Sequence, residues 1–175
     1  MAVSKTQSVG QDYNTLLGKV QKQADKKKVN IKVFDDNMDG KLSIDELKMA
    51  LTRMPKLVVN NGEVQINDYD KKGNLVQEIL KSADGEFINK AVNAYDKNNK
   101  KVSTTFTSSD GIKSETTYKY HKNGVLKSME SKVNSGEMFT ETYFENGNME
   151  SVSYTNEDGE VVICKADKNG NMIES

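Results

Sequence analysis

The chain has 175 residues, of which 35% are hydrophobic and 29% charged, and its formal net charge is −1. This composition predicts a folded protein with a thin core and excludes an intrinsically disordered chain. The only basic run is Lys26–Lys28, and Arg53 is the single arginine, so nucleic acid is not an expected partner. No segment has the roughly eighteen apolar residues of a membrane span, and no signal peptide is visible at the start. We expect a soluble protein, either cytoplasmic or secreted after loss of a leader.

The first predicted element is helical. Apolar residues from Tyr13 to Phe34 recur at helical spacing, which predicts one long helix that ends near Phe34. After the lysine run, Val29, Ile31 and Val33 bring β-branched side chains that disfavour a helix. A break into two pieces is therefore the alternative.

The next segment, D-D-N-M-D-G-K-L-S-I-D-E, has oxygen donors at the spacing of a calcium loop. Gly40 stands at position six, where the chain must turn sharply, and glycine allows the left-handed backbone required there. Glu46 closes the segment at position twelve and can give both carboxylate oxygens, which suits Ca²⁺ better than the strict octahedron of Mg²⁺. The candidate metal ligands are Asp35, Asn37, Asp39, the carbonyl of Lys41, Ser43 and Glu46.

The segment from residue 19 to residue 54 resembles the EF-hand family of calmodulin and its relatives. Phe34 precedes the loop as an apolar residue of the entering helix, and Leu42 takes the central apolar position. An amphipathic pattern continues through Leu47 and Leu51 to Met54, as in an exiting helix. The resemblance implies that the loop binds calcium.

Ser43 and Glu46 form an S-x-x-E capping box that predicts the start of the exiting helix, and Pro55 predicts its end. EF-hands usually come in pairs, but no second loop is found here. The acidic stretch from Asp68 puts Ile79 where the closing glutamate belongs. An unpaired loop lacks the support of a partner, so we expect weak calcium affinity unless another element braces it.

From residue 57 onward, turn signals recur every eleven to fourteen residues. Runs rich in Thr, Val, Ser and Tyr lie between them, which predicts a succession of β-hairpins with about eleven strands. The turn centres are Gly62, Gly73, Gly85, Asn99, Gly111, Gly124, Gly136, Gly147, Gly159 and Gly170.

Alternate turns differ in sequence, which gives a two-strand repeat of roughly twenty-three residues. One kind follows an aromatic residue, as in Y-D-K-K-G-N-L from Tyr69, and the other is of the type S-A-D-G-E-F. This alternation resembles the YD repeats of bacterial RHS proteins and, more loosely, the MORN-like repeats of some bacterial antitoxins. The resemblance implies a bacterial source and a structural or binding role, including immunity to a toxin.

These patterns predict an α+β fold with two domains. A helical head with a single EF-hand helix-loop-helix occupies residues 1–56, and an antiparallel β-meander built from two-strand repeats occupies residues 57–175. In the strand around Tyr118, less polar residues alternate with charged ones, as in a sheet with one wet face. The lone Cys164 lies in an apolar strand and is expected to be buried.

The sequence has no recognisable catalytic motif. His121, the only histidine, falls on the charged side of its strand and is expected to be solvated. We therefore expect a non-catalytic calcium-binding protein whose sheet contacts a protein or glycan partner. The alternative is a carbohydrate-active hydrolase that uses carboxylates of the sheet, and two facing carboxyl groups in a groove would favour it. Self-association through the unpaired loop or through a sheet edge stays open.

Overall fold

The computed structural model describes residues 5–173, and the side chains of residues 12–173. The helices are α1 (Lys5–Lys27) and α2 (Ile44–Arg53), with 3₁₀ helices at Ile31–Phe34 and Met54–Lys56. Within the described residues, no helix combines the length and the hydropathy needed to cross a membrane. The strands are β1 (Val58–Asn60), β2 (Glu63–Tyr69), β3 (Leu75–Ser82), β4 (Phe87–Tyr95), β5 (Lys101–Ser108), β6 (Lys113–Tyr120), β7 (Leu126–Val133), β8 (Met138–Tyr143), β9 (Met149–Thr155), β10 (Val161–Ala166) and β11 (Met172–Ile173).

The first helix stops at Lys27 rather than near Phe34. Lys28 takes a left-handed backbone with φ 57°, which ends the α-helical path. The chain resumes as a 3₁₀ helix capped by Asn30, whose side chain accepts a hydrogen bond from the Lys32 amide at 3.0 Å. The prediction of one long helix is therefore wrong, and the chain breaks next to the β-branched segment.

The second helix begins and ends as predicted. The hydroxyl of Ser43 accepts from the Glu46 amide at 3.2 Å, while the Glu46 carboxylate accepts from the Ser43 amide at 2.8 Å. This reciprocal capping box satisfies two amides that the first helical turn leaves unpaired. The helix stops at Arg53, and Pro55 lies in the 3₁₀ turn that follows.

The strands follow one another in chain order in one antiparallel sheet, from β1 to β11. The predicted antiparallel meander of about eleven strands is confirmed. A two-residue turn joins β1 to β2, and in it Asn61 and Gly62 have φ of 48° and 82°. Positive φ at both central residues is what a type I′ hairpin turn requires.

The nine later turns share a different backbone geometry. In each turn, the amide of the first residue donates to the carbonyl of the residue four positions later, and the carbonyl of the first residue accepts from the amide three positions later. In the first of these turns, the Asp70 amide donates to the Asn74 carbonyl at 2.9 Å, and the Gly73 amide donates to the Asp70 carbonyl at 3.1 Å. Such loops need a left-handed residue before the second strand, and glycine fills that place in eight of them, with φ between 82° and 106°. Asn99, with φ 62°, fills it in the ninth. Both kinds of turn in the sequence repeat therefore have one geometry.

The chain divides into two compact units. The first holds the residues up to Tyr69 together with Glu78–Asn89, and the second holds Asp70–Gln77 together with the residues from Lys90 onward. This grouping by contacts differs from the division at residues 56 and 57, which follows element type. Every buried apolar side chain of the described residues belongs to the first unit: Val20, Ala24, Val29, Val33, Phe34, Leu42, Leu47, Ala50, Met54, Leu57, Val64, Ile66 and Ile79.

The second unit has no buried residue in its described part. In β6 the predicted alternation is present, because Tyr118 and Tyr120 are half-buried while Lys119 between them is exposed. β10 is exposed along almost its whole length, so Cys164 is exposed and the prediction of a buried cysteine is wrong. Turn geometry and cross-strand pairs, rather than a core, stabilise a sheet of this kind.

Tyrosines at the ends of strands reach across to a neighbouring strand. The Tyr95 hydroxyl donates to the Leu75 carbonyl at 3.0 Å, and the Tyr120 hydroxyl donates to the Lys101 carbonyl at 2.8 Å. Tyr143 ends β8 in the same way, but its hydroxyl donates to the Glu141 carboxylate. The acceptor for Tyr143 is therefore a charged carboxylate instead of a backbone carbonyl.

The hydrogen bond to Glu141, together with burial and the charge of the carboxylate, raises the pKa of Tyr143 from 10.0 to about 12. The bond stabilises the fold fully below pH 10.0, and this stabilisation is lost as the pH rises towards 12, because the unfolded chain releases the proton first. In an alkaline absorbance titration, Glu141→Gln should shift the ionisation of one tyrosine to lower pH. Glu130→Gln, on the neighbouring strand, is the control and should leave the curve unchanged. A curve that Glu141→Gln does not move would contradict this assignment.

Candidate metal centre

The predicted calcium loop connects the first 3₁₀ helix to α2 and lies within the first unit. Gly40 has φ +81° in open space, so its backbone conformation, and not crowding, requires glycine. Its amide donates to Asp35 Oδ2 at 2.8 Å. The sharp turn predicted at position six is therefore present.

Glu46 holds the two ends of the loop together. Its Oε1 accepts from the amides of Asp36 and Asn37 at 3.0 and 3.4 Å, and its Oε2 accepts from the Ser43 amide at 2.8 Å and hydroxyl at 2.7 Å. Burial opposes the ionisation of Glu46, but these hydrogen bonds outweigh burial and lower its pKa. The carboxylate is thus ionised, and hydrogen bonds hold both of its oxygens at the closing position of the loop.

Asp35, at the first ligand position, is buried with 8% exposure. Its Oδ2 accepts the bond from Gly40, but its Oδ1 is buried without a hydrogen-bond partner. A buried carboxylate oxygen left unpaired is costly, and such atoms are rare in folded proteins unless a water or an ion meets them. This oxygen is the feature of the loop that fits a bound cation best.

The remaining predicted ligands lie on the exposed turn of the loop. Asn37 Oδ1 accepts from the Asp39 amide at 3.0 Å, and Asn37 Nδ2 donates to Asp39 Oδ2 at 3.2 Å. Asp39 Oδ1 accepts from the Lys41 amide at 2.8 Å. Short-range hydrogen bonds therefore fix the side chains at positions three and five, next to the Lys41 peptide.

Within residues 5–173, no three His, Cys, Asp or Glu side chains lie together as a group able to hold a metal ion. The carboxylates of Asp35, Asp39 and Glu46 are therefore not brought together as one group, and the predicted set also depends on neutral donors: the Asn37 amide, the Lys41 carbonyl and the Ser43 hydroxyl. Ca²⁺ is coordinated by neutral oxygens as well as by carboxylates, so a calcium site does not have to consist of carboxylates alone. The donor types of the loop are those that calcium prefers, and the Asp35 Oδ1 atom is buried without a hydrogen-bond partner.

The sheet braces the loop within the first unit. Lys81, near the end of β3, is 2% exposed, and its Nζ donates to the Asp35 carbonyl at 2.7 Å. Burial lowers the pKa of Lys81, while the charges of Asp36 and Asp35 act against that shift. In the following turn, a Cβ on Gly85 would lie 2.7 Å from Lys32 Cβ, so this turn packs directly on the segment that enters the loop. β3 and the turn after it thus contact the unpaired loop and the segment that enters it.

A second buried cation ties the loop to the exiting helix and to β2. Arg53 is 4% exposed, and its Nη1 donates to Asp36 Oδ2 at 2.6 Å. Its Nε and Nη2 donate to the two oxygens of Asp68 at 3.0 and 2.7 Å. Burial opposes the charge of Arg53, but the two carboxylates outweigh burial and raise its pKa. The guanidinium therefore remains charged and links three elements of the first unit.

A cavity of about 800 Å³ borders the other side of the loop. Its wall includes Tyr13, Leu17 and Ile31 from the helical segments, together with Asp35 and Ser43 from the loop. The cavity therefore borders the residue at the first ligand position.

Lys81 and Arg53 were not identified from the sequence, although each left a signal. Lys81 is two residues after Ile79, which is 4% exposed, so a lysine takes a place on β3 where the alternation favours an apolar residue. Arg53 follows the buried Ala50 by three residues and so falls near the apolar face of α2. A charged residue on a buried face usually has a partner of opposite charge or a carbonyl group.

His121, in the second unit, is not solvated as predicted, because its side chain is only 15% exposed. Its Nε2 lies 2.7 Å from the Tyr143 carbonyl oxygen, and its Nδ1 lies 3.9 Å from Glu145 Oε1. The ring borders a cavity of about 370 Å³ that Glu145 and Glu150 also line. The prediction was wrong because His121 begins a turn just after β6, where the alternation of the strand no longer applies.

No protein-family model matches this chain, and no curated protein matches it. Among solved structures, the chain is similar to a porin-like protein from Bacteroides uniformis ATCC 8492, with 16% sequence identity and a TM-score of 0.33. The match covers 63% of this chain and 48% of that chain, so this chain spans about half the length of the structure that it matches. A likeness of this size does not establish a shared fold or function.

Proposed function

We propose that Asp35–Glu46 bind one calcium ion and that the chain is a non-catalytic calcium-binding protein. The observation that carries this proposal is the buried, unpaired Oδ1 of Asp35 at the first ligand position. The left-handed Gly40 and the ionised Glu46, together with donors that are all oxygen atoms, support it.

The predicted ligands comprise charged and neutral oxygen donors. Three carboxylates provide charge, and neutral oxygens complete the coordination: Asp35, Asp39 and Glu46 for the charge, with the Asn37 amide, the Lys41 carbonyl and the Ser43 hydroxyl. Coordination by Glu46 replaces hydrogen bonds to backbone amides that contribute about 1 kcal/mol each. We therefore expect an affinity at the weak end of the EF-hand range, with a Kd of about 10⁻⁵ to 10⁻³ M.

For the second unit we propose a binding surface for a protein or glycan partner, with immunity to a bacterial toxin as one setting. The support is the exposure of its apolar side chains, because Val162, Met172 and Ile173 are 63%, 71% and 50% exposed. Large apolar side chains that are exposed on the last strands of a sheet favour contact with another molecule.

A hydrolase that uses carboxylates of the sheet has less support. Its general acid would need a raised pKa. The described carboxyl groups with a clear shift have lowered pKa values instead: Glu46, Asp70, Asp110, Glu137 and Asp167. The pair that such an enzyme would use is Glu145 and Glu150, beside the His121 cavity.

Thermal denaturation with and without calcium tests the proposed site. Saturating calcium should raise the melting temperature of the wild type, because an ion that binds only the folded state stabilises it by about 2.7 kcal/mol at a hundred times Kd. Glu46→Gln removes the charge of the closing ligand and should lose most of that rise. An equal concentration of magnesium should have a smaller effect on the wild type.

Asp45→Asn is the matched control for Glu46→Gln. It removes one negative charge from the same loop, but the Asp45 side chain is 94% exposed and is not a predicted ligand. This variant should keep the calcium response. An equal response in Glu46→Gln and the wild type would place the ion elsewhere, and a wild type without any response would reject the proposal.

A further inference from the structure

The loop that we propose as a calcium site is acidic, yet it already contacts a buried cation. The Nζ of Lys81 lies 2.7 Å from the carbonyl oxygen of Asp35, the residue at the first ligand position. Lys81 is 2% exposed, so water screens its charge much less than the charge of a surface lysine. The charge of Lys81 therefore interacts with the charged groups of the loop with little screening by water.

The charged groups around Lys81 come from the loop and from α2. The carboxylates of Asp35, Asp36 and Glu46 attract its ammonium group, while the Arg53 guanidinium repels it. Arg53 is committed to Asp36 and Asp68. Lys81 is thus the buried cation that compensates the ligand carboxylates at the two ends of the loop.

We propose that Lys81 is a resident cation that takes over part of the role of the metal charge. It holds the loop folded without calcium, and it weakens calcium binding because a bound divalent ion is repelled by the ammonium group. This inference rests on the proposed function, and it makes Lys81 a residue that sets the affinity of the site.

Two effects compete when Lys81 is replaced, and their sizes decide the expected sign. Loss of the hydrogen bond to the Asp35 carbonyl weakens the loop by the modest amount of one such bond. Loss of a positive charge near a divalent ion has a larger effect, since charges that water screens poorly interact more strongly. Removal of the charge should therefore tighten calcium binding.

Lys81→Met keeps most of the side-chain volume and removes the charge. We expect its melting temperature without calcium to fall by roughly 5 to 15 °C. We expect its calcium affinity, measured by calorimetry, to rise by on the order of tenfold. The rise of melting temperature in calcium should be larger than in the wild type. A merely structural role would lower the melting temperature in both conditions and leave the affinity unchanged or weaker.

Two further variants keep the test decisive. Lys81→Gln keeps a donor for the Asp35 carbonyl but loses the charge, so it should also tighten binding, and it replaces Lys81→Met if that variant does not fold. Lys48→Met removes a lysine that is 63% exposed on the exiting helix, and it should change the affinity by less than about twofold.

The outcomes separate this inference from the proposed function. Calcium binding by the wild type that neither Lys81 variant tightens would overturn the role of Lys81 alone. No binding by the wild type or by the variants would overturn both. Tighter binding in the Lys81 variants, with lower stability without calcium, is the result that the resident cation predicts.

Discussion

Replacement of Gly85 by alanine should lower the free energy of unfolding by about 3 kcal/mol or more. Its φ of +93° alone costs an alanine about 1–2 kcal/mol. An added Cβ would also lie 2.7 Å from the backbone carbon of Lys32 and 2.9 Å from the Val33 nitrogen, so the 3₁₀ helix would have to move. The nearby hydrogen bond from the Asn30 amide to the Ala83 carbonyl, at 3.1 Å, should be lost with that movement.

Gly111→Ala is the matched control for this prediction. Gly111 lies in a turn of the same geometry with φ +90°, but nothing lies within 4 Å of an added Cβ. Only the backbone strain of about 1–2 kcal/mol is expected there. Urea denaturation measures both variants. Equal losses would contradict the close packing of the Gly85 turn on the segment that enters the loop.

Replacement of Arg53 by methionine should cost about 2–4 kcal/mol of stability. The variant removes the hydrogen bonds to Asp36 and Asp68 and leaves both carboxylates without their shared cation. The expected loss is below that of a fully buried pair, because the two carboxylate side chains are 31% and 26% exposed and regain some hydration. Denaturation in urea measures this loss directly.

Lys48→Met serves as the control for Arg53→Met. Lys48 also pairs with an aspartate, Asp45, at 3.5 Å, but both side chains are mostly exposed. Exposed pairs of this kind contribute at most about 0.5 kcal/mol on a helix. If Arg53→Met were as mild as Lys48→Met, the buried ion pair would have no role in the stability of the first unit.

The parts of the fold that depend on local chemistry could be predicted from the sequence. The Asn61–Gly62 pair and the regular glycines predict hairpin turns because few other residues adopt positive φ. Ser43 and Glu46 predict the start of α2 because a capping box involves only four consecutive residues. The end of α1 could not be predicted in this way. Lys28 has a left-handed backbone that ends the helix, and the next residue, Val29, is buried in the core, so the position of this end depends on tertiary packing.

The same distinction applies to the candidate metal centre. The six predicted ligands lie within one short loop, so their spacing alone is enough to predict them as a set. Lys81 contacts Asp35 across 46 residues of sequence, and that contact exists only once β3 has found its place in the sheet. The loop could therefore be predicted from the sequence, whereas the buried cation that contacts it could not.

A calorimetric titration of the intact chain with calcium measures directly whether the loop binds one ion. We expect one ion per chain, with a Kd of about 10⁻⁵ to 10⁻³ M, and much weaker binding by Glu46→Gln. Binding of two or more ions per chain, or no heat of binding at millimolar calcium, would contradict this expectation.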